Sequence, residues 1–308
     1  MPYSKNHGWG RLIAESLRSR PRVGKILIVA AATNINWEEL NEIFPPSDKI
    51  RVLTTLPLAL TEATASQDDV IYIAPYHTEN ITGAAGIAMS KAGVSVIGLG
   101  QGTSRPTFTW TTAVGASWDV SAADCLIENC LFDLTGFDAV TAGFNITAAN
   151  CHFQRNEVIT ADATNQAVLG LLTNASGSGL LVEDCIFRGT VDAGTTAAIR
   201  IVGGSNITIR RNHMVGAYSL AIGAIDNLTT LTANLLIEGN SIRNLTTLSA
   251  NAIRLNVDGA SATIVNNRLG VLTGTTPVLA TALVAGPGLL LGGNYYRGAS
   301  SVAAGTLL

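Results

Sequence analysis

Ile127-Glu128-Asn129-Cys130-Leu131-Phe132 decides the reading of this chain, because the phrase keeps returning. Its echoes are Val182-Glu183-Asp184-Cys185-Ile186-Phe187, Ile209-Arg210-Arg211-Asn212-His213-Met214, Ile237-Glu238-Gly239-Asn240-Ser241-Ile242, Ile264-Val265-Asn266-Asn267-Arg268-Leu269 and Leu291-Gly292-Gly293-Asn294-Tyr295-Tyr296. Asn150-Cys151-His152-Phe153 is a weaker copy. Taking the Cys or Asn as marker gives a row of Cys130, Cys151, Cys185, Asn212, Asn240, Asn267 and Asn294, with gaps of 21, 34, 27, 28, 27 and 27 residues. Short β-branched runs and Gly/Asn turns at this period are the signature of stacked coils, a solenoid in which each repeat packs on the next.

Composition agrees with strands and turns. Charged residues are 13% of the 308, about half the usual share, and the net charge of −3 disfavours nucleic acid as a partner. The positive charge is concentrated at one end: Lys5, Arg11, Arg18, Arg20, Arg22 and Lys25 face a single acid, Glu15, in the first 25 residues. Such an arm suits docking onto an acidic protein surface. The N-terminus lacks a continuous apolar core followed by small residues, so no signal peptide is expected, and Gly24 to Ala32 is too short to span a bilayer. Six sequons, at Asn80, Asn145, Asn174, Asn206, Asn227 and Asn244, read as turns running into strands. Three of the four cysteines sit at the marker and are expected to be small buried thiols.

Four sections follow. Residues 1–22 form the basic arm. Residues 23–67 read as a small α/β section: strands from Lys25 to Ala30 and from Ile50 to Leu56, a helix from Asn36 to Phe44 stopped by Pro45-Pro46, and a second helix from Pro57 to Ala65. Residues 68–296 are short strands, starting with Asp69 to Pro75 and Gly93 to Gly100, and Gly100 falls in the marker register, 30 residues before Cys130. Two-residue hairpin turns are too few for antiparallel pairing, so parallel coils are expected. Residues 297–308 are a small apolar tail. Beyond Arg268 the only charged residue is Arg297, a composition suited to subunit contact.

The phrase Leu58-Ala-Leu-Thr-Glu-Ala followed by Asp68-Asp-Val-Ile-Tyr-Ile-Ala-Pro75 resembles the entry to a pectate-lyase-like right-handed parallel β-helix, in which a helix caps the first coil. Val96-Ile-Gly-Leu-Gly-Gln-Gly102 and the Asn/Cys marker also resemble that fold, the marker being similar to its interior asparagine ladder. The resemblance covers residues 57–296 and implies an all-β, single-stranded right-handed parallel β-helix. The layout of basic arm, small α/β cap and low-charge solenoid resembles virion proteins of tailed bacteriophages, of the decoration, cement or head-fibre type. It implies a homotrimer with partners such as the major capsid protein, and location in the virion.

Candidate chemistry is sparse. Two residues before the marker runs the row Gly98, Glu128, Ala149, Glu183, Arg210, Glu238, Val265, Gly292. Glu183, Arg210 and Glu238 on consecutive coils read as a surface charge ladder. An inverting hydrolase could use two carboxylates about 9.6 Å apart, but Arg210 between them would keep both ionised. The remaining acids are Asp119, Asp124, Asp133, Asp138, Glu157, Asp162, Asp184, Asp192, Asp226 and Asp258, and they form no cluster. The Gly-His-Gly and following basic phrase of hydrolases with this fold is absent. His7, His77, His152 and His213 show no ligand or triad spacing, with His152 and His213 one residue after the marker. Gly98-Leu-Gly-Gln-Gly102 lacks a P-loop lysine. Phe108, Trp110 and Trp118 read as core or subunit packing rather than a sugar platform. Catalytic residues, cofactor and metal are therefore each expected to be none, with no membrane partner. The expected function is a non-enzymatic virion structural protein anchored by its N-terminal region. The alternative is a tailspike-type polysaccharide-degrading enzyme or a carbohydrate-binding adhesin that grips a host-surface glycan.

Overall fold

A computed structural model describes residues 24–33, 40, 50–190, 194–219, 222–227, 232–246, 251–255, 261–271, 279–281 and 289–297. One coil shows the unit. Leu126–Glu128 lies in a first sheet, Leu131–Asp133 in a second and Phe144–Ile146 in a third. The chain then returns, and His152–Gln154 lands beside Leu126–Glu128 in parallel register. Repetition builds sheets of 11, 10 and 8 strands, in which neighbouring strands are parallel. The result is an all-β parallel β-helix.

Three-residue strands explain how so short a repeat can bury a core. In the first two sheets the middle residue points inward, giving the stacks Ile127, Phe153, Val182, Ile209, Ile237, Ile264 and Phe108, Phe132, Val158, Phe187, Met214, Ile242, Leu269. In the third sheet the flanking residues are buried instead, as with Phe144 and Ile146 around Asn145. Trp110, Trp118, Phe132, Phe144 and Phe153 meet inside the coils. Phe132 and Phe144 are edge-on at 4.7 Å, and Phe144 and Phe153 at 4.8 Å. Trp110 and Trp118 are fully buried, so they belong to the core.

The 23–67 section does not stand apart from the solenoid. Ile26–Val29 pairs in parallel with Ile50–Leu53 on one side and Val70–Ile73 on the other, extending the first sheet. The first sheet therefore runs without a break across the boundary expected at residue 68. The helix expected from Pro57 runs Leu56–Glu62 and buries Leu56, Ala59 and Leu60 over the inward side chains Leu27, Val29, Ile71 and Ile73. Of the helix expected from Asn36 to Phe44, only Leu40 is among the described residues. It is helical and buried against Ile28, Tyr72 and Ile97 on the opposite face. Both faces of the first strands are thus covered.

Charges tie this cap down. Glu79 occupies an inward row otherwise filled by Phe108 and Phe132, and its Oε2 accepts the Leu56 N–H at 2.9 Å, at the helix start. The buried His77 ring sits 3.1 Å from the same oxygen, while its Nδ1 accepts the Ala31 N–H. At the helix end, Lys25 donates to the Glu62 carbonyl and Lys91 to those of Thr61 and Ala63. Buried Asp69 accepts the Lys25 and Thr64 N–H groups, each at 2.6 Å. Glu79→Ala should cost about 1–3 kcal/mol by leaving the Leu56 N–H and His77 unpaired. Guanidinium unfolding measures the loss, and faster amide exchange at Leu56 locates it at the cap.

Candidate functional site

The corner between the first and second sheets is a single residue in the left-handed region. Asn129 (φ 58°), Arg155 (55°), Asp184 (54°), Arg211 (55°), Gly239 (63°), Asn266 (58°) and Gly293 (60°) occupy it in successive coils. Asn, Asp and Gly tolerate this backbone; the two arginines carry a strain of about 1–2 kcal/mol each.

The residue after the corner points inward. The backbone ladder Glu157 N–H to Cys130 O, Ile186 to Asn156, His213 to Cys185, Ser241 to Asn212, Arg268 to Asn240 and Tyr295 to Asn267 fixes who stacks on whom. The row is Cys130, Asn156, Cys185, Asn212, Asn240, Asn267, Asn294. An amide inside this row does three jobs. Asn240 Oδ1 accepts the Asn212 N–H at 2.9 Å, and its Nδ2 donates to the Ile209 carbonyl at 2.9 Å and to Asn267 Oδ1 at 3.0 Å. Asn212 and Asn267 repeat the pattern, while Asn294 and Asn156 each make its first two bonds, Asn294 to the Asn267 N–H and Ile264 carbonyl and Asn156 to the Cys130 N–H and Ile127 carbonyl. The thiols of Cys130 and Cys185 donate to backbone carbonyls. Burial pushes Cys130 up to about 12 and raises Cys185 as well, so both remain neutral.

Two expectations about this row are corrected by the register. Cys151 is not on the ladder. It precedes the first-sheet strand His152–Gln154 and stacks on Cys125, while Asn156 holds the ladder position in that coil. The irregular gaps of 21 and 34 thereby become 26 and 29. Gly100 is also out of register: Pro106 stands one coil before Cys130, since the Leu131 N–H bonds its carbonyl. The signal for Asn156 was present, because Phe153-Gln154-Arg155-Asn156-Glu157-Val158 matches Ile209-Arg210-Arg211-Asn212-His213-Met214 in type.

Outside, the charged row is Ile97, Glu128, Gln154, Glu183, Arg210, Glu238; Ile97 and Gln154 replace the expected Gly98 and Ala149. Two of its three acids, Glu128 and Glu183, are engaged from neighbouring coils, and Arg210 turns to Glu183 rather than to Glu238. Glu128 pairs with Arg155 and accepts from Gln154. Glu183 Oε2 accepts from Arg210 at 2.7 Å and Arg211 at 2.6 Å. Arg211 also binds Asp184 at 2.8 Å, which holds that carboxyl below its ordinary value. The second sheet repeats the arrangement with Arg105, Glu157 and Arg188. The third stacks Arg200, Asp226 and Arg254, with both guanidinium Nε atoms 2.8 Å from a fully buried Asp226.

Other acids bond to amides of the next coil or within their own turn. Asp119 accepts from Asn145, Asp124 from Asn150, Asp133 from Thr135, Asp138 from Gln166, and Asp162 from the Thr164 and Asn165 N–H groups. Asp124 and Asn150 also belong to an outer corner row of left-handed residues, continued by Asn206 and Asn234. Sequence reading missed this row, although Asx residues ahead of each first-sheet strand signal it. His152 and His213 are not equivalent, lying in the first and second sheets respectively. Asp192, Asp258, His7, the tail beyond Arg297 and the arm residues Lys5, Arg11, Arg18, Arg20 and Arg22 fall outside the described residues. Lys25 is bonded into the cap. Among the described residues no cluster of three His, Cys, Asp or Glu could hold a metal ion, and no helix is long and apolar enough to cross a membrane.

Coils of three parallel strands, an inward amide row and paired outer charges define a parallel β-helix. A family model described as a right-handed β-helix region matches residues 92–269, over half of the chain, and the chain belongs to that family. No curated protein and no solved structure matches it.

Asn240→Ala should cost about 3 kcal/mol, because it leaves the buried Asn212 N–H and Ile209 carbonyl unpaired. Asn266→Gly, at an exposed left-handed corner, should change stability by less than about 1 kcal/mol, so denaturant midpoints separate the two roles. The Asp184–Arg211 pair has a pH signature. A lowered carboxyl stabilises the fold fully above the ordinary aspartate range, and that contribution is lost as pH falls through the lowered value. The stability gap between the parent chain and Arg211→Gln should therefore shrink between about pH 5 and pH 2.

Proposed function

We propose that this chain is a non-enzymatic structural protein of a tailed-bacteriophage virion, a capsid decoration or cement protein or a short head fibre. It is anchored through its N-terminal arm and cap, with the β-helix as a stiff rod. The observation that carries the reading is the use of the charges: Glu128, Glu157, Glu183, Asp184 and Asp226 are each bonded to arginines of other coils rather than gathered in a groove. A glycan hydrolase needs a protonatable acid placed opposite a base or nucleophile, and pairing of this kind leaves the carboxylates bound. The basic arm supplies a docking element for an acidic virion surface such as a capsid protein. Exposed Leu290 and Tyr295, on the last described coil, together with the apolar tail composition, suit association with further copies, a trimer in this proposal.

The experiment compares particles assembled with and without the chain. Loss of capsid stability to heat or chelator, with the purified chain restoring it, is the expected result. Release of reducing ends or unsaturated uronates from host polysaccharide by the purified chain would overturn the non-enzymatic reading in favour of a tailspike-type enzyme.

A further inference from the structure

Cys125 and Cys151 occupy the same row on adjacent coils. The pairing of Leu126 with His152, and the bond from the His152 N–H to the Cys125 carbonyl at 2.8 Å, place the two residues side by side at the start of neighbouring first-sheet strands. Parallel neighbours lie about 4.8 Å apart, inside the span of about 4.4–6.8 Å that a disulfide bridges between Cα atoms. Both residues are buried at this step between the coils. Like Cys130 and Cys185, both thiols donate only to backbone carbonyls, Cys125 to Lys91 O and Cys151 to Ala122 O, each at 3.5 Å. In the next coil the row passes to Leu180.

Cys130 and Cys185 are placed differently. They share the ladder row, but Asn156 stands between them, so their strands are two coils, about 9.6 Å, apart. Of the four cysteines, one pair alone is spaced for a bond.

We propose that Cys125 and Cys151 form a reversible oxidation site, closing a disulfide that staples two adjacent coils when the folded protein meets a disulfide oxidant. Cys151 is the attacking sulfur. The neighbouring Cys125 holds the Cys151 thiol below its ordinary value, and Cys151 in turn raises Cys125, which keeps its proton. With glutathione disulfide as oxidant, the Cys151 thiolate attacks one sulfur and expels one glutathione thiolate, leaving a mixed disulfide. Cys125 then gives up its proton to the expelled thiolate and attacks the Cys151 sulfur, releasing the second glutathione. Two protein thiols are oxidised and one external disulfide is reduced to two thiols. The closed loop contains second- and third-sheet strands of one coil, Leu131–Asp133 and Phe144–Ile146, where the interior aromatics are densest.

The test equilibrates the full folded chain in glutathione buffers of increasing oxidised fraction, quenches in acid, alkylates after unfolding and maps peptides without reduction. The expected map joins Cys125 to Cys151 and leaves Cys130 and Cys185 alkylated, with a melting temperature several degrees higher than in the reduced chain. Cys185→Ser should keep the bridge, and Cys151→Ser should lose both bridge and thermal shift. Four free thiols throughout the series, a bridge that includes Cys130 or Cys185, or a Cys125–Cys151 bridge that forms only after unfolding would overturn the proposal. The parent chain alone decides among these outcomes, so the conclusion does not depend on either variant folding.

Discussion

Everything in this molecule depends on meeting the buried backbone polar groups at one corner. A coil of this size must swing from its first sheet into its second within a single residue, and the left-handed conformation at Asn129, Arg155, Asp184 and Arg211 achieves that swing. The next residue is then turned inward, with its N–H in an apolar interior where an unpaired donor costs about 1–3 kcal/mol. An asparagine one coil on accepts that N–H and passes its own amide protons to the preceding strand and the following asparagine. The solution propagates, because each amide satisfies the coil beside it. Where Cys130 and Cys185 interrupt the row, the neighbouring Asn156 and Asn212 still serve their N–H groups.

The outer surface follows from the same stacking. In-register parallel strands bring like positions within about 4.8 Å, so a column of identical charges would repel. The chain alternates instead, with Glu183 against Arg210 and Arg200 and Arg254 around Asp226, while Arg105 and Arg188 reach Glu157 from off-register positions. With few charges to place, nearly every ion pair in the solenoid connects one coil to another. The interior amide row and the exterior ion pairs therefore act in the same direction, along the axis.

Much of this was legible in the residues. The fold came from the recurring phrase, and the ladder from Asn212 onward came from its even spacing. The errors share a cause. Asn150-Cys151 imitates Asn129-Cys130, yet both are left-handed Asn residues at different corners: one before a first-sheet strand, the other after it. Dipeptide likeness cannot separate the two corners; the inward Phe153 and the Asn156 that follows can. The third sheet was the least readable part, because the segment joining it to the second sheet varies in length, from Asp133 to Phe144 in one coil and from Ile159 to Leu169 in the next. With that register hidden, Asp226 read as one of several scattered acids, and neither its pairing with Arg200 and Arg254 nor the amide–carboxylate pair Asn145–Asp119 was visible.

The interior aromatics are not spread evenly. Ring-to-ring contacts run from Phe108 through Trp118, Phe132, Phe144 and Phe153 to Phe187, after which the same inward row continues with Met214, Ile242 and Leu269. In a stack whose cohesion is a sum over neighbouring coils, this makes the interfaces near the cap stronger than those beyond residue 214. The rod consequently has a mechanical polarity. Pulled or heated, it would shed coils from its far end inward, like a zipper whose stop is the aromatic block, and the capped end would be the last to let go.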